Sequence, residues 1–164
     1  MSMFEDRAYQ WRETYFVLFH SAKRPRMDAL RKKLKRSECR FELTNCVSDE
    51  KGFIESLTIL APDDFAALDI SYLAGDEVRE EARSLAAELK STDCGREERT
   101  KIERLKGCDG RFDILHFERV GDQRAAEEDD EEGMFDPSGL LIVLDALVEL
   151  TAGIAVDPQS GAML

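Results

Sequence analysis

A run of five consecutive large apolar residues, Tyr15–Phe19, restricts the fold more than any other feature of this sequence. A segment that is short, rich in β-forming residues and apolar on both faces is typical of a strand inside a sheet. The run ends at His20, and basic residues follow, so we expect the strand to end there. The sequence therefore predicts a sheet in which Tyr15–Phe19 is a central strand.

The segment after this strand predicts an amphipathic helix. Met27, Leu30 and Leu34 follow one another at spacings of three and four residues, which places them on one helix face. Pro25 is compatible with the first turn of a helix, because that turn needs no backbone donor at its start. We expect about three turns, ending near Arg36.

Three β-like runs and a turn cluster then predict an antiparallel meander. The runs are centred on Phe41–Val47, Phe53–Ala61 and Leu68–Tyr72, and Ser48–Gly52 supplies a turn between the first two. The rest of the chain predicts further helices and strands in the following order: helices after Gly75 and over Arg96–Lys106, a strand over Phe112–Val120, a helix over Pro137–Ala152 and a terminal hairpin.

This order predicts one α+β domain over residues 1–164, with a mixed, mostly antiparallel sheet and helices packed on one face. A ferredoxin-like, split βαβ arrangement is the first topology to consider. The six consecutive acids Glu127–Glu132 repel one another and bury no apolar surface, so we expect a mobile acidic loop at 121–136.

Composition favours a cytoplasmic protein. The four cysteines include no Cys-x-x-Cys pair, and the chain opens on charged residues rather than on the apolar segment of a secretory signal. No apolar run approaches the length needed to cross a bilayer, so we expect no association with membranes. The formal net charge of −12 disfavours binding to polyanions by the protein as a whole.

The segment 23–36 is the exception to this acidic composition. It carries eight basic residues against Asp28 alone, a net charge of +7. Clustered lysine and arginine side chains can contact an acidic protein surface or a phosphate backbone. The candidate binding residues are Arg24, Arg26, Arg31, Lys32, Lys33, Lys35 and Arg36.

The absence of catalytic motifs favours a non-enzymatic protein-binding or regulatory domain with no cofactor. The sequence lacks the phosphate-binding, dinucleotide, zinc-protease and hydrolase signatures, and it gives no catalytic or metal-ligating assignment. One alternative is nucleic-acid binding through the same basic segment, which is less favoured because no aromatic residue interleaves its cations. The other is a small metal-dependent or acid–base enzyme that uses His20 and His116, with Cys46 or a carboxylate nearby.

Overall fold

The computed structural model of this protein describes residues 9–62, 65–90, 95–119, 138–160 and 162–163. Within these ranges the chain forms one seven-stranded sheet and four α-helices, which establishes the α+β class. The strands are β1 (Tyr9–Phe19), β2 (Glu42–Ser48), β3 (Ile54–Ala61), β4 (Ala66–Ala74), β5 (Gly110–Arg119), β6 (Ile154–Asp157) and β7 (Ala162–Met163). The helices are α1 (Met27–Lys35), α2 (Asp76–Lys90), α3 (Arg96–Leu105) and α4 (Ser138–Thr151).

The strand order across the sheet is β2-β3-β4-β5-β1-β6-β7, so the first strand of the chain lies inside the sheet, as predicted. Val17 pairs with Phe112 of β5 on one side and with Ala155 of β6 on the other. The meander β2-β3-β4 and the terminal hairpin β6-β7 are also confirmed. Every pairing among the described strands is antiparallel, so the expected parallel component of the sheet is not found there.

The helices cover both faces of the sheet, and the prediction that they share one face is wrong. Val17 and Phe19 belong to the core that contains the buried residues of α1 and α4. The side chain of Leu18 points to the opposite face of the sheet and belongs to a second core, which contains the buried residues of α2 and α3. The physical reason lies in β1 itself, because a strand with bulky apolar residues on both faces must be covered on both.

The topology agrees with the ferredoxin-like prediction in one unit only. Strands β5 and β6 run in the same direction with β1 between them, and α4 connects them, which is a split βαβ unit. The remaining strands extend the sheet to seven, beyond the four of a β-α-β-β-α-β arrangement. The meander before α2 and the hairpin after α4 account for this difference.

Helix α1 is fixed to the rest of the molecule by its apolar side and by the residues before it. Met27, Leu30 and Leu34 are buried in the core beneath the helix. The backbone amide of Met27 donates to the carbonyl of Gly52 at 2.9 Å, and that of Ile54 donates to Pro25 at 3.0 Å. The basic segment is therefore attached to the turn between β2 and β3.

The predicted acidic loop at 121–136 lies outside the described residues. In the described ranges no helix combines the length and the apolar character that a membrane crossing requires.

Candidate functional site

Arg24, the first of the candidate binding residues, has a structural role. Its guanidinium forms an ion pair with Asp49 at 2.5 Å and lies 4.5 Å from the centre of the Tyr72 ring and 5.4 Å from that of Phe53. A hydrogen bond from the backbone amide of Phe53 and the charge of Arg24 both lower the pKa of Asp49 below its usual value. With its side chain 21% exposed, Arg24 holds the start of the basic segment against β4 rather than facing a partner.

Two further candidates are also engaged within the molecule. Lys33 forms an ion pair with Glu149 of α4, on the side where the two helices pack together. Arg31 contacts Asp28 one turn earlier at 3.5 Å, and its guanidinium lies 3.9 Å from the sulfur of Cys46 on β2. Lys33 and Arg31 therefore flank α1 and join it to its neighbours.

The other four candidates, Arg26, Lys32, Lys35 and Arg36, form what we call the basic surface. All four are exposed, and none has an ion-pair partner among the residues that the structure describes. At 100° per residue, the last three lie within about 100° of arc on the side of α1 opposite its buried residues. Arg26 precedes the helix, with its guanidinium 5.5 Å from the centre of the Phe53 ring.

The structure separates His20, His116 and Cys46, which the enzyme alternative required to converge. His20 follows Phe19, which pairs with Gly110, whereas His116 pairs with Glu13 six residues away along β1. Six residues span about 20 Å in a strand. Cys46 lies on β2, three strands from β5, which corresponds to about 14 Å. The strand that His20 follows and the strand that contains His116 are neighbours, as considered from the sequence, but the two histidines lie at opposite ends of this pair.

His116 has a distinct environment of its own. Its Nδ1 atom lies 3.4 Å from a carboxylate oxygen of Glu13 but forms no hydrogen bond in the described part of the chain. Burial lowers the pKa of His116, and the charge of Glu13 partly opposes this. Burial together with Glu13 also raises the pKa of Tyr15. No group of three or more metal-ligating side chains occurs among the described residues.

The residues that contact Arg24 within the molecule were not predicted from the sequence. Asp49 and Phe53 belong to the turn between β2 and β3, and Tyr72 lies on β4. Their contact with Arg24 depends on the position of that turn beside the start of α1. Sequence spacing carries no signal for a contact of this kind, whereas helical periodicity is sufficient to place Lys32, Lys35 and Arg36 on the outer side of α1.

No protein-family model, curated protein or solved structure matches this chain. The functional argument therefore depends on the chemistry of the surfaces themselves.

Proposed function

We propose that this protein is a non-enzymatic binding domain that recognises an acidic surface of another protein through its basic surface. The observation that supports this most strongly is the group of four exposed cations, Arg26, Lys32, Lys35 and Arg36, without ion-pair partners among the described residues. Lys32 and Lys35 lie on α1, and Arg26 and Arg36 flank its two ends. The other side of this helix is buried, so the backbone positions of all four residues are set before a partner binds. Such pre-organisation reduces the entropy lost on binding.

A structural role explains only part of this charge. Cations in the last turn of a helix interact favourably with its dipole, and Lys32 and Lys35 lie in the last turn of α1. That explanation does not extend to Arg26, which lies at the opposite end of the helix. The net charge of −12 opposes an acidic partner at long range, but screening limits this repulsion to about 8 Å at physiological salt. At contact, the local cations decide the sign of the interaction.

The same surface is less suited to nucleic acid. Proteins that bind single strands add exposed aromatic side chains on which bases stack. The aromatic ring beside Arg26, that of Phe53, is already in contact with the guanidinium of Arg24. Four cations also release few counterions compared with typical nucleic-acid-binding proteins. These points favour a protein partner over DNA or RNA.

The test is a fluorescence anisotropy titration with labelled poly-glutamate, in parallel with labelled single-stranded DNA and duplex RNA. The triple variant Lys32→Glu/Lys35→Glu/Arg36→Glu is compared with Arg96→Glu/Arg99→Glu/Lys101→Glu, which makes the same charge change on exposed positions of α3. We expect the α1 variant to weaken poly-glutamate binding at least about tenfold, because each exposed charge contributes roughly 0.2–1 kcal/mol and reversal adds repulsion.

The α3 variant controls for the loss of net charge and should retain most of the affinity. Equal weakening by both variants, or no binding of poly-glutamate by the unmodified protein, would contradict the proposal. Tighter binding of either nucleic acid than of poly-glutamate would favour the nucleic-acid alternative.

A further inference from the structure

A groove of about 440 Å³ lies between α2 and the sheet, on the face opposite the basic surface. Its apolar lining consists of Phe16 and Leu18 of β1, Leu85 of α2, and Pro158 in the turn after β6. We call it the acidic groove, because its α2 side also carries the glutamates Glu77, Glu80, Glu81 and Glu88. It thus combines an apolar floor with a negatively charged wall.

The glutamates form a strip along α2, which Ser84 interrupts between Glu81 and Glu88. Their spacing of three, four and seven residues keeps them on one side of the helix, next to its buried side. The helix dipole favours acids in the first turn, which accounts for Glu77 but not for those further along. Glu77 and Glu80 have no ion-pair partner in the described ranges of the chain. From Glu77 to Glu88 the strip extends about 16 Å.

Arg111 shows that the groove is chemically suited to a guanidinium. Its side chain is only 12% exposed, and its Nε atom donates to Asp113 at 2.6 Å. It also forms an ion pair with Glu81, and its guanidinium carbon lies 4.3 Å from the centre of the Phe16 ring. An aromatic face combined with carboxylates is a favourable environment for a guanidinium. The groove therefore already holds one cation of the protein itself, with further carboxylates beyond it.

We propose that the acidic groove binds an extended, lysine- or arginine-bearing segment of a partner protein that also carries apolar side chains. The apolar side chains would contact Phe16, Leu85 and Pro158, which are partly exposed, and the cations would contact Glu77 and Glu80. A strip of 16 Å matches about five residues of extended chain. Carboxylates spread over that length suit a peptide better than a single metal ion, which needs converging ligands. This surface is independent of the basic surface on α1.

The probes are two labelled peptides of equal length and charge, one alternating lysine with leucine and the other alternating lysine with serine. Each is titrated by anisotropy against the unmodified protein and against Glu77→Gln/Glu80→Gln/Glu88→Gln. The matched control is Glu50→Gln/Glu55→Gln/Glu97→Gln, which removes three exposed carboxylates elsewhere. We expect the lysine–leucine peptide to bind more tightly than the lysine–serine peptide. The groove variant should weaken that binding about tenfold, and the control variant less than about threefold.

Three results would overturn the proposal. Equal weakening by both triple variants would mean that the peptide responds only to net charge. Equal affinity for the two peptides would mean that the apolar lining of the groove does not contribute to binding. Self-association of the protein in sedimentation velocity, lost both in the groove variant and in Lys32→Glu/Lys35→Glu/Arg36→Glu, would identify a second copy of this chain as the occupant. The first two results leave the poly-glutamate test of the basic surface unaffected.

Discussion

Replacement of Gly153 by alanine tests the junction between α4 and β6, where the chain returns to the central strand. A Cβ atom at Gly153 would lie 2.6 Å from the carbonyl oxygen of Leu18 and 2.7 Å from the hydroxyl oxygen of Thr151. Leu18 is paired with both β5 and β6, so its backbone cannot move without disturbing both pairings. The Thr151 hydroxyl accepts from the amide of Gly153 and donates to the carbonyl of Leu147. It is therefore also fixed.

Overpacking of this kind costs about 1–3 kcal/mol, so we expect Gly153→Ala to lower the free energy of unfolding by that amount. For a chain of this length, each kcal/mol corresponds to about 2–4 °C in Tm. Urea unfolding followed by circular dichroism gives the free energy, and a thermal melt gives the shift in Tm independently.

The neighbouring substitution Ala152→Gly is the control. Ala152 has φ +53°, a left-handed conformation that costs an alanine about 1–2 kcal/mol and that glycine adopts freely. The greater freedom of glycine in the unfolded chain offsets about 0.4–1 kcal/mol of this gain. We therefore expect Ala152→Gly to leave stability unchanged or to raise it by up to about 1.6 kcal/mol. If the Gly153→Ala variant is as stable as the unmodified protein, the junction between α4 and β6 does not approach β1 as closely as described.

Two other predictions concern stability. Leu30→Ala, at a fully buried position on the inner side of α1, should cost about 2–5 kcal/mol in urea unfolding, whereas Lys32→Ala on the outer side should change stability by less than about 0.5 kcal/mol. Similar effects of the two would contradict the placement of α1. Because burial lowers the pKa of His116 from its usual 6.5, the unfolded chain takes up a proton below that pH which the folded protein resists. Stability should therefore fall as the pH decreases below 6.5, and His116→Gln should reduce this fall; an unchanged pH dependence in His116→Gln would contradict the buried, neutral imidazole.

Much of the secondary structure follows from local patterns. The alternation in Leu68–Tyr72 and the three- and four-residue spacing in α1 each gave an element of the right type at the right place. The first half of β1 was not predicted, because Glu13 interrupts the alternation of Tyr9 and Trp11 with polar residues. That half is stabilised by pairing with residues of β5 that are more than one hundred positions away in the sequence.

The number of faces covered by helices could have been inferred from the sequence. Val17 and Leu18 are adjacent, bulky and buried, so a strand containing both requires apolar partners above and below. The strand order could not have been inferred from the sequence. The first strand lies between β5 and β6, and the contacts that put it there have no local signal in the sequence.

The candidate site likewise has one part that could be predicted from the sequence and one part that could not. Periodicity is sufficient to place Lys32, Lys35 and Arg36 on the outer side of α1. Arg24 and Lys33 are instead engaged in ion pairs with Asp49 and Glu149, which the fold brings to them from distant segments.

The most direct test of the central claim is a heteronuclear NMR titration of the isotope-labelled protein with unlabelled poly-glutamate. Our account predicts that the amide shift changes centre on residues 26–36 and decrease as salt is added. Shift changes that centre instead on α3, or that are absent from α1, would contradict it.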